Sequence, residues 1–143
     1  LAVMKSVDLI IINDGEVRML AEDDNLIRAS RQLIAMVGCQ TLIIKKGENG
    51  VLAFHGDDMI ALPAYPTENV VDPTGCGDSF AGTIAACLAA NNGPISKSEL
   101  RDALIRATVT ASFTLESFGT SGLIGLTVEK FKLRLAQFEE ILS

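Results

Sequence analysis

The residues best placed to do chemistry lie in the stretch VVDPTGCGDSFAG, Val70 to Gly82. Gly75 and Gly77 bracket Cys76, Asp78 follows at once, and an apolar helical pattern runs on from Phe80. Glycines ahead of a helix suit an anion, because exposed backbone N–H groups and the helix dipole both favour negative charge there. With no Cβ on Gly75 or Gly77, a bulky anion can reach the N–H groups of Gly75, Cys76 and Gly77. The carboxylate of Asp78 inside such a cradle is the puzzle. Taken alone, the loop reads as a glycine turn into a helix whose dipole Asp78 complements. No GxxxxGK followed by Ser or Thr occurs, which removes the P-loop, and a bare GxG is too weak for a dinucleotide fingerprint.

Two more polar clusters follow apolar runs: Asn13 to Glu16 (NDGE) and Lys45 to Gly50 (KKGENG). By residue type alone, the first turns the chain and starts a helix, and the second is a solvated corner. His55 is the only histidine and falls beside a turn, so no role is assigned to it. Cys39, Cys76 and Cys87 have no metal-ligand spacing, and their odd number argues against a disulfide framework. A reducing, cytoplasmic setting is the expectation.

The elements that must hold these clusters read as an α/β domain. VDLIIIND is an apolar run of the kind buried in a parallel sheet, followed by a helical turn from Glu16. Asp23, Asp24 and Asn25 then start a helix that carries Leu26, Ala29, Leu33 and Val37 and stops at Gly38. TLIIKKG is a second buried strand, so the order is strand, helix, strand, the signature of a parallel pair. VLAFHGDDMIALPAY adds two antiparallel edge strands around Gly56 and Asp57, with Pro63 and Pro66 keeping the next segment extended. A small-residue helix runs from Phe80 to Ala90. A second helix opens on the capping box of Ser96 and Glu99 and runs towards Gly119. A last helix from about Thr127 has Phe131, Leu135, Phe138 and Leu142 on one face. Ligands of parallel sheets bind outside the carboxyl ends of the strands, where Asn13 and Lys45 fall.

A chain of 143 residues fits one domain with a real core, and 48% apolar with 21% charged residues is the balance of a folded globular protein. The net charge of −6 is spread out with no basic stripe, which speaks against nucleic acid as a partner. Apolar runs such as LIII are far too short to cross a membrane. The first residue is Leu1, in what reads as the end of a helix, so a fragment of a longer protein is expected.

Asp72, Pro73, Thr74, Gly75, Cys76, Gly77, Asp78, Ser79 and Phe80 together resemble the second signature of the PfkB, or ribokinase-like, carbohydrate kinases, D-T-T-G-A-G-D followed by a small or polar residue and Phe. The departures are Pro73 and Cys76. Asn13 and Glu16 resemble the family's N-x-x-E motif, and IIKKGENGVLAF resembles its glycine-containing turn over the nucleotide. The three motifs occur in the family's order. The resemblance implies a ribokinase-like three-layer fold with a mostly parallel sheet. It also implies that residues 1–143 are the C-terminal nucleotide-binding and catalytic portion, without the N-terminal strands, the first signature and the β lid.

For activity, the resemblance implies transfer of the γ-phosphoryl group of ATP to an alcohol of a sugar or nucleoside. The N–H groups of Gly75 to Gly77 would form the anion hole, and Asp78 would act as base towards the attacking hydroxyl. An aspartate, with a reference pKa of about 3.9, cannot ionise an alcohol in the ground state, but it can take the proton as the bond to phosphorus forms. Asn13 and Glu16 would act on the phosphates, Glu16 through water on Mg²⁺, and Lys45, Gly47 and Gly50 would lie near ATP. Asp72 and Thr74, with residues of ESFGTSG (Glu116 to Gly122), match positions that bind a monovalent cation such as K⁺ in many relatives. Cys76, at a helix N-terminus, has the surroundings of a stabilised thiolate, or is a small residue in an alanine slot. The partner implied is a small-molecule sugar or nucleoside, and a homodimer stays open. Two other readings remain: a nucleotide-binding fragment without catalysis, and an α/β domain with a fortuitous glycine loop.

Overall fold

A computed structural model describes all residues 1–143, which form two compact units, Leu1–Pro63 and Ala64–Ser143. In the first, β1 (Leu9–Asn13) leads into α1 (Asp14–Ala21) and α2 (Leu26–Val37), then β2 (Thr41–Lys45), β3 (Val51–His55) and β4 (Asp58–Leu62). The strands lie side by side in chain order. Only β1 and β2 run parallel, and β2–β3 and β3–β4 are antiparallel, so the sheet is mixed rather than mostly parallel. The reason is local: tight turns at Lys46–Gly50 and Gly56–Asp57 can join only antiparallel neighbours, whereas the two helices between β1 and β2 span a parallel crossover.

The register puts Ile10, Leu42 and Phe54 in one cross-strand row and Ile12, Ile44 and Leu52 in the next. Those rows join Val17 from α1 and Ala29, Leu33 and Val37 from α2 in a single apolar cluster. Both interior strands, β2 and β3, are buried along nearly their whole length. β4 alternates, with Ile60 and Leu62 buried and Asp58, Met59 and Ala61 exposed, as an edge strand does. At α2, the Asn25 side chain accepts the Arg28 N–H at 3.0 Å, and Gly38 closes the helix in the left-handed conformation at φ 74°.

The second unit begins with an extended segment to residue 73, followed by α3 (Cys76–Ala89), α4 (Lys97–Leu115), α5 (Ser121–Ile124) and α6 (Val128–Leu142). The Ser96–Glu99 capping box opens α4, with the Glu99 N–H 3.2 Å from Ser96 Oγ and the Ser96 N–H 2.7 Å from Glu99 Oε2. The small residues of α3 let it lie along α4, with Phe80 and Ile84 buried beside a core that includes Leu100, Leu104 and Val109. On α6, Phe138 is fully buried and Phe131, Leu135 and Leu142 flank it half-buried. Three helix bounds differ from expectation: α1 starts at Asp14 rather than Glu16, α3 at Cys76 rather than Phe80, and α4 ends at Leu115, short of Gly119. No helix is long and apolar enough to cross a membrane.

Candidate active site

In the first unit the parallel register sets Asn13 opposite Lys45, at the carboxyl ends of β1 and β2. Asn13 caps α1: its Oδ1 accepts the Glu16 N–H at 2.8 Å, and Glu16 Oε2 accepts the Asn13 N–H at 2.9 Å. This reciprocal pair satisfies two backbone donors that a helix start leaves orphaned. It also leaves Glu16 Oε1 and the Asn13 side-chain NH₂ for another partner. Asp14 pairs with Arg18 at 3.0 Å. Beyond Lys45 the chain turns tightly, the Lys46 N–H donating to the Gly50 carbonyl at 2.8 Å. Gly50 is required there: at φ 88° its added Cβ would stand 2.1 Å from the Leu62 carbonyl oxygen. Gly47, also at positive φ, is exposed at the tip.

In the second unit, the Val71 and Asp72 N–H groups both donate to the Leu115 carbonyl, at 2.9 and 3.1 Å. The Asp72 Oδ1 accepts the Thr74 N–H at 3.0 Å, and this bond, followed by one from the Thr74 hydroxyl, holds the Asp72 carboxyl below its ordinary range. Gly75 then takes the left-handed conformation at φ 86°, and its carbonyl receives the first helical bond, from the Ser79 N–H at 2.9 Å. No side chain caps α3. An eight-residue or longer helix started this way directs its first N–H groups outward.

One of the three expected donors is spent internally. The Cys76 N–H closes a turn onto the Pro73 carbonyl at 3.2 Å, which leaves Gly75, Gly77 and the neighbouring Asp78 as the uncommitted N–H groups. Of the two readings of Cys76, its surroundings suit the small residue in an alanine slot. Its Sγ faces the Ala111 carbonyl at 3.6 Å, and burial first, then the charge of Asp72, push the thiol above its ordinary value. Asp78 sits exposed in the first turn of α3.

Residues outside the motifs fix this loop. The Thr114 hydroxyl donates to Ser79 Oγ at 3.0 Å, and Ser79 Oγ donates to the Cys76 carbonyl at 3.1 Å. Nothing in the sequence singles out Thr114, because its partner is distant in the chain. Glu116, expected in a cation-binding loop, has both carboxylate oxygens engaged, by Thr67 at 2.9 Å and Arg134 at 2.8 Å. Beside it, Phe113, Ser117, Gly122, Lys130 and Arg134 help line an open recess of about 360 Å³.

The donor sets fit the implied ligands in kind. The open N–H groups of α3 suit a phosphoryl group, and Glu16 retains one oxygen towards water on a cation. No cluster of three or more Asp, Glu, His or Cys residues is present that could cage a metal, so Mg²⁺ would be held chiefly by water and phosphate oxygens, its usual mode. Asp72, its carboxyl held below the ordinary range, offers the hard oxygen ligand that K⁺ takes.

The pfkB family carbohydrate kinase profile matches residues 1–124, and the chain belongs to that family. Among its relatives is the cytidine kinase of Thermococcus kodakarensis, 36% identical over 86 residues, a match covering 59% of this chain and 30% of that protein. The aminoimidazole riboside kinase of Salmonella enterica, solved with aminoimidazole riboside and an ATP analogue, superposes with a TM-score of 0.80 at 24% identity, over 93% of this chain and 43% of that one. A fructokinase double mutant from Vibrio cholerae, bound to fructose, ADP and potassium ion, gives a TM-score of 0.77 at 16% identity over 96% and 42%. At these identities the structural likeness establishes the ribokinase-type α/β fold. The chain spans about a third or less of the curated relatives it matches.

Proposed function

We propose that this chain carries the nucleotide-binding and catalytic portion of an ATP-dependent kinase that phosphorylates an alcohol of a sugar or nucleoside. The observation that carries the proposal is the uncapped start of α3 within the family signature: N–H groups open at Gly75 and Gly77, with Asp78 in the same turn. Phosphoryl transfer passes through a loose transition state with charge spread over the moving group, so positioning and electrostatic stabilisation do most of the work. The Gly75 and Gly77 amides meet that charge, and donors of this kind are worth roughly 10²–10³ in rate each. Asp78 accepts the proton of the attacking hydroxyl as the new bond forms.

On the nucleotide side, Asn13 and Glu16 order the phosphates, Glu16 through water on Mg²⁺, and Lys45, Gly47 and Gly50 form the turn beside ATP. Mg²⁺ supplies charge neutralisation of the phosphate oxygens when bound. Asp72 and the Thr74 carbonyl hold a monovalent cation that steadies the loop. The setting is cytoplasmic and the acceptor is a small molecule. A second proposal, made for residues 1–143 taken alone, is nucleotide binding without turnover, the match spanning 30% of the cytidine kinase's length.

A thermal-shift series with ATP, ADP and AMP tests the nucleotide site. A ligand at about a hundred times its Kd stabilises by about 2.7 kcal/mol, which for a chain near 150 residues is a rise of roughly 5–10 °C in Tm. No rise with any of the three would leave only the fold. A rise without phosphate transfer to ribose, fructose or cytidine would favour the second proposal.

A further inference from the structure

Arg134 is a charged residue on the inner side of α6, and its side chain is only 19% exposed, as is the 18% exposed Glu116 it pairs with. Its Nη1 donates to Glu116 Oε2 at 2.8 Å and to Ser112 Oγ at 3.0 Å, while the Ser112 hydroxyl donates to the Val109 carbonyl at 2.6 Å. The guanidinium lies 3.8 Å from the centre of the Phe113 ring and 5.0 Å from that of Tyr65. Every one of these contacts falls on the end of α4 or on the extended segment that follows Ala64.

The same end of α4 is what the glycine loop hangs from, at three successive residues. The Thr114 hydroxyl holds Ser79, the Leu115 carbonyl accepts the N–H groups of Val71 and Asp72, and the Glu116 carboxylate accepts the hydroxyl of Thr67, which in turn receives the Asn69 N–H at 3.1 Å. Residues 67–75 contain no helix or strand of their own, so these bonds are what fix their path. We infer that Arg134 is the positioning residue of the glycine loop: through Glu116 it fixes the last turn of α4, and that turn sets where the N–H groups of Gly77 and Asp78 point. The planar guanidinium lies against two rings while its Nη1 donates to two acceptors, a combination that a lysine ammonium reproduces only in part. The effect on catalysis rests on the kinase proposal, whereas the effect on the loop does not.

The test compares Arg134→Met, Arg134→Lys and Thr67→Val by amide hydrogen exchange, reading Val71 and Asp72 against the α4 amides of residues 104–110. Loss of the partner of a largely buried carboxylate is expected to speed exchange at Val71 and Asp72 by about ten- to a hundredfold with the α4 amides within about threefold of wild type. Lysine should restore part of that protection. Thr67→Val, which leaves the helices intact, should loosen Asn69 and Val71 in the same direction. Unchanged exchange at Val71 and Asp72 in both Arg134 variants, or an equal rise throughout α4, would overturn the inference. If wild type transfers phosphate, kcat should fall about tenfold in Arg134→Met with the KM for ATP within about threefold, the pattern of an interaction made in the transition state. A wild type that transfers none counts against the kinase proposal, and the exchange measurements still decide the role of Arg134.

Discussion

Asp78 and Cys76 lie two residues apart in the first turn of α3, yet their surroundings ask for opposite behaviour. Asp78 is exposed, and Asp78→Asn removes the proposed base while keeping the shape of the side chain. Turnover is expected to fall by roughly 10²–10⁴, the worth of a general base, with nucleotide Kd little changed. Measuring kcat and ADP affinity together checks this, and near-normal turnover would sink the assignment. Cys76 is held as a neutral thiol by burial and by the nearby Asp72 charge. Because the thiolate is the reactive form, its alkylation at neutral pH should be slow, with a pH midpoint above that of an ordinary thiol. Asp72→Asn removes the second cause and should bring that midpoint down. Rates followed against pH in a Cys39→Ala, Cys87→Ala background decide it: a midpoint at or below that of free cysteine contradicts the geometry.

At the scale of elements, Asn13 has a structural duty at the start of α1 that can be separated from its proposed one on the nucleotide. Asn13→Ala loses the cap and is expected to cost about 1 kcal/mol, read as a fall in Tm. Asn13→Ser keeps a capping oxygen and should restore stability. If Asn13 also touches nucleotide, Ser will leave ADP affinity low, and recovery of both together would assign the residue to the cap alone. Much at this scale was legible in the sequence, because β1, α2, β2 and the β3–β4 hairpin declare themselves through apolar runs and turn residues, and Ser96 with Glu99 through a capping box. What escaped has physical causes. Gly75 and Gly77 disguise the start of α3, since glycine signals a loop even where its left-handed φ serves as the helix cap. Thr114 and Arg134 stayed hidden because their partners are set by packing rather than by spacing.

For the molecule as a whole, the two compact units carry different parts of the proposed machinery. Asn13, Glu16, Lys45, Gly47 and Gly50 fall in Leu1–Pro63, and Asp72 to Asp78 fall in Ala64–Ser143. The first unit has a core of its own, the cluster from Ile10 to Phe54, and the second is built on α3 and α4. A nucleotide that uses both sets of residues must slow amide exchange in both units in the same titration, with one midpoint, because a single binding event supplies the free energy. The protected amides in the first unit should cluster at residues 45–50, and in the second at residues 75–78. The Cys76 amide is the internal control: already bonded to Pro73, it should gain less than Gly77 on adding ADP. AMP, which lacks the β-phosphate, should protect 45–50 more than 75–78. Protection confined to one unit at saturating ADP, or two midpoints, would mean that the glycine loop serves some other anion and that the resemblance at Asp72 to Phe80 does not extend to nucleotide binding.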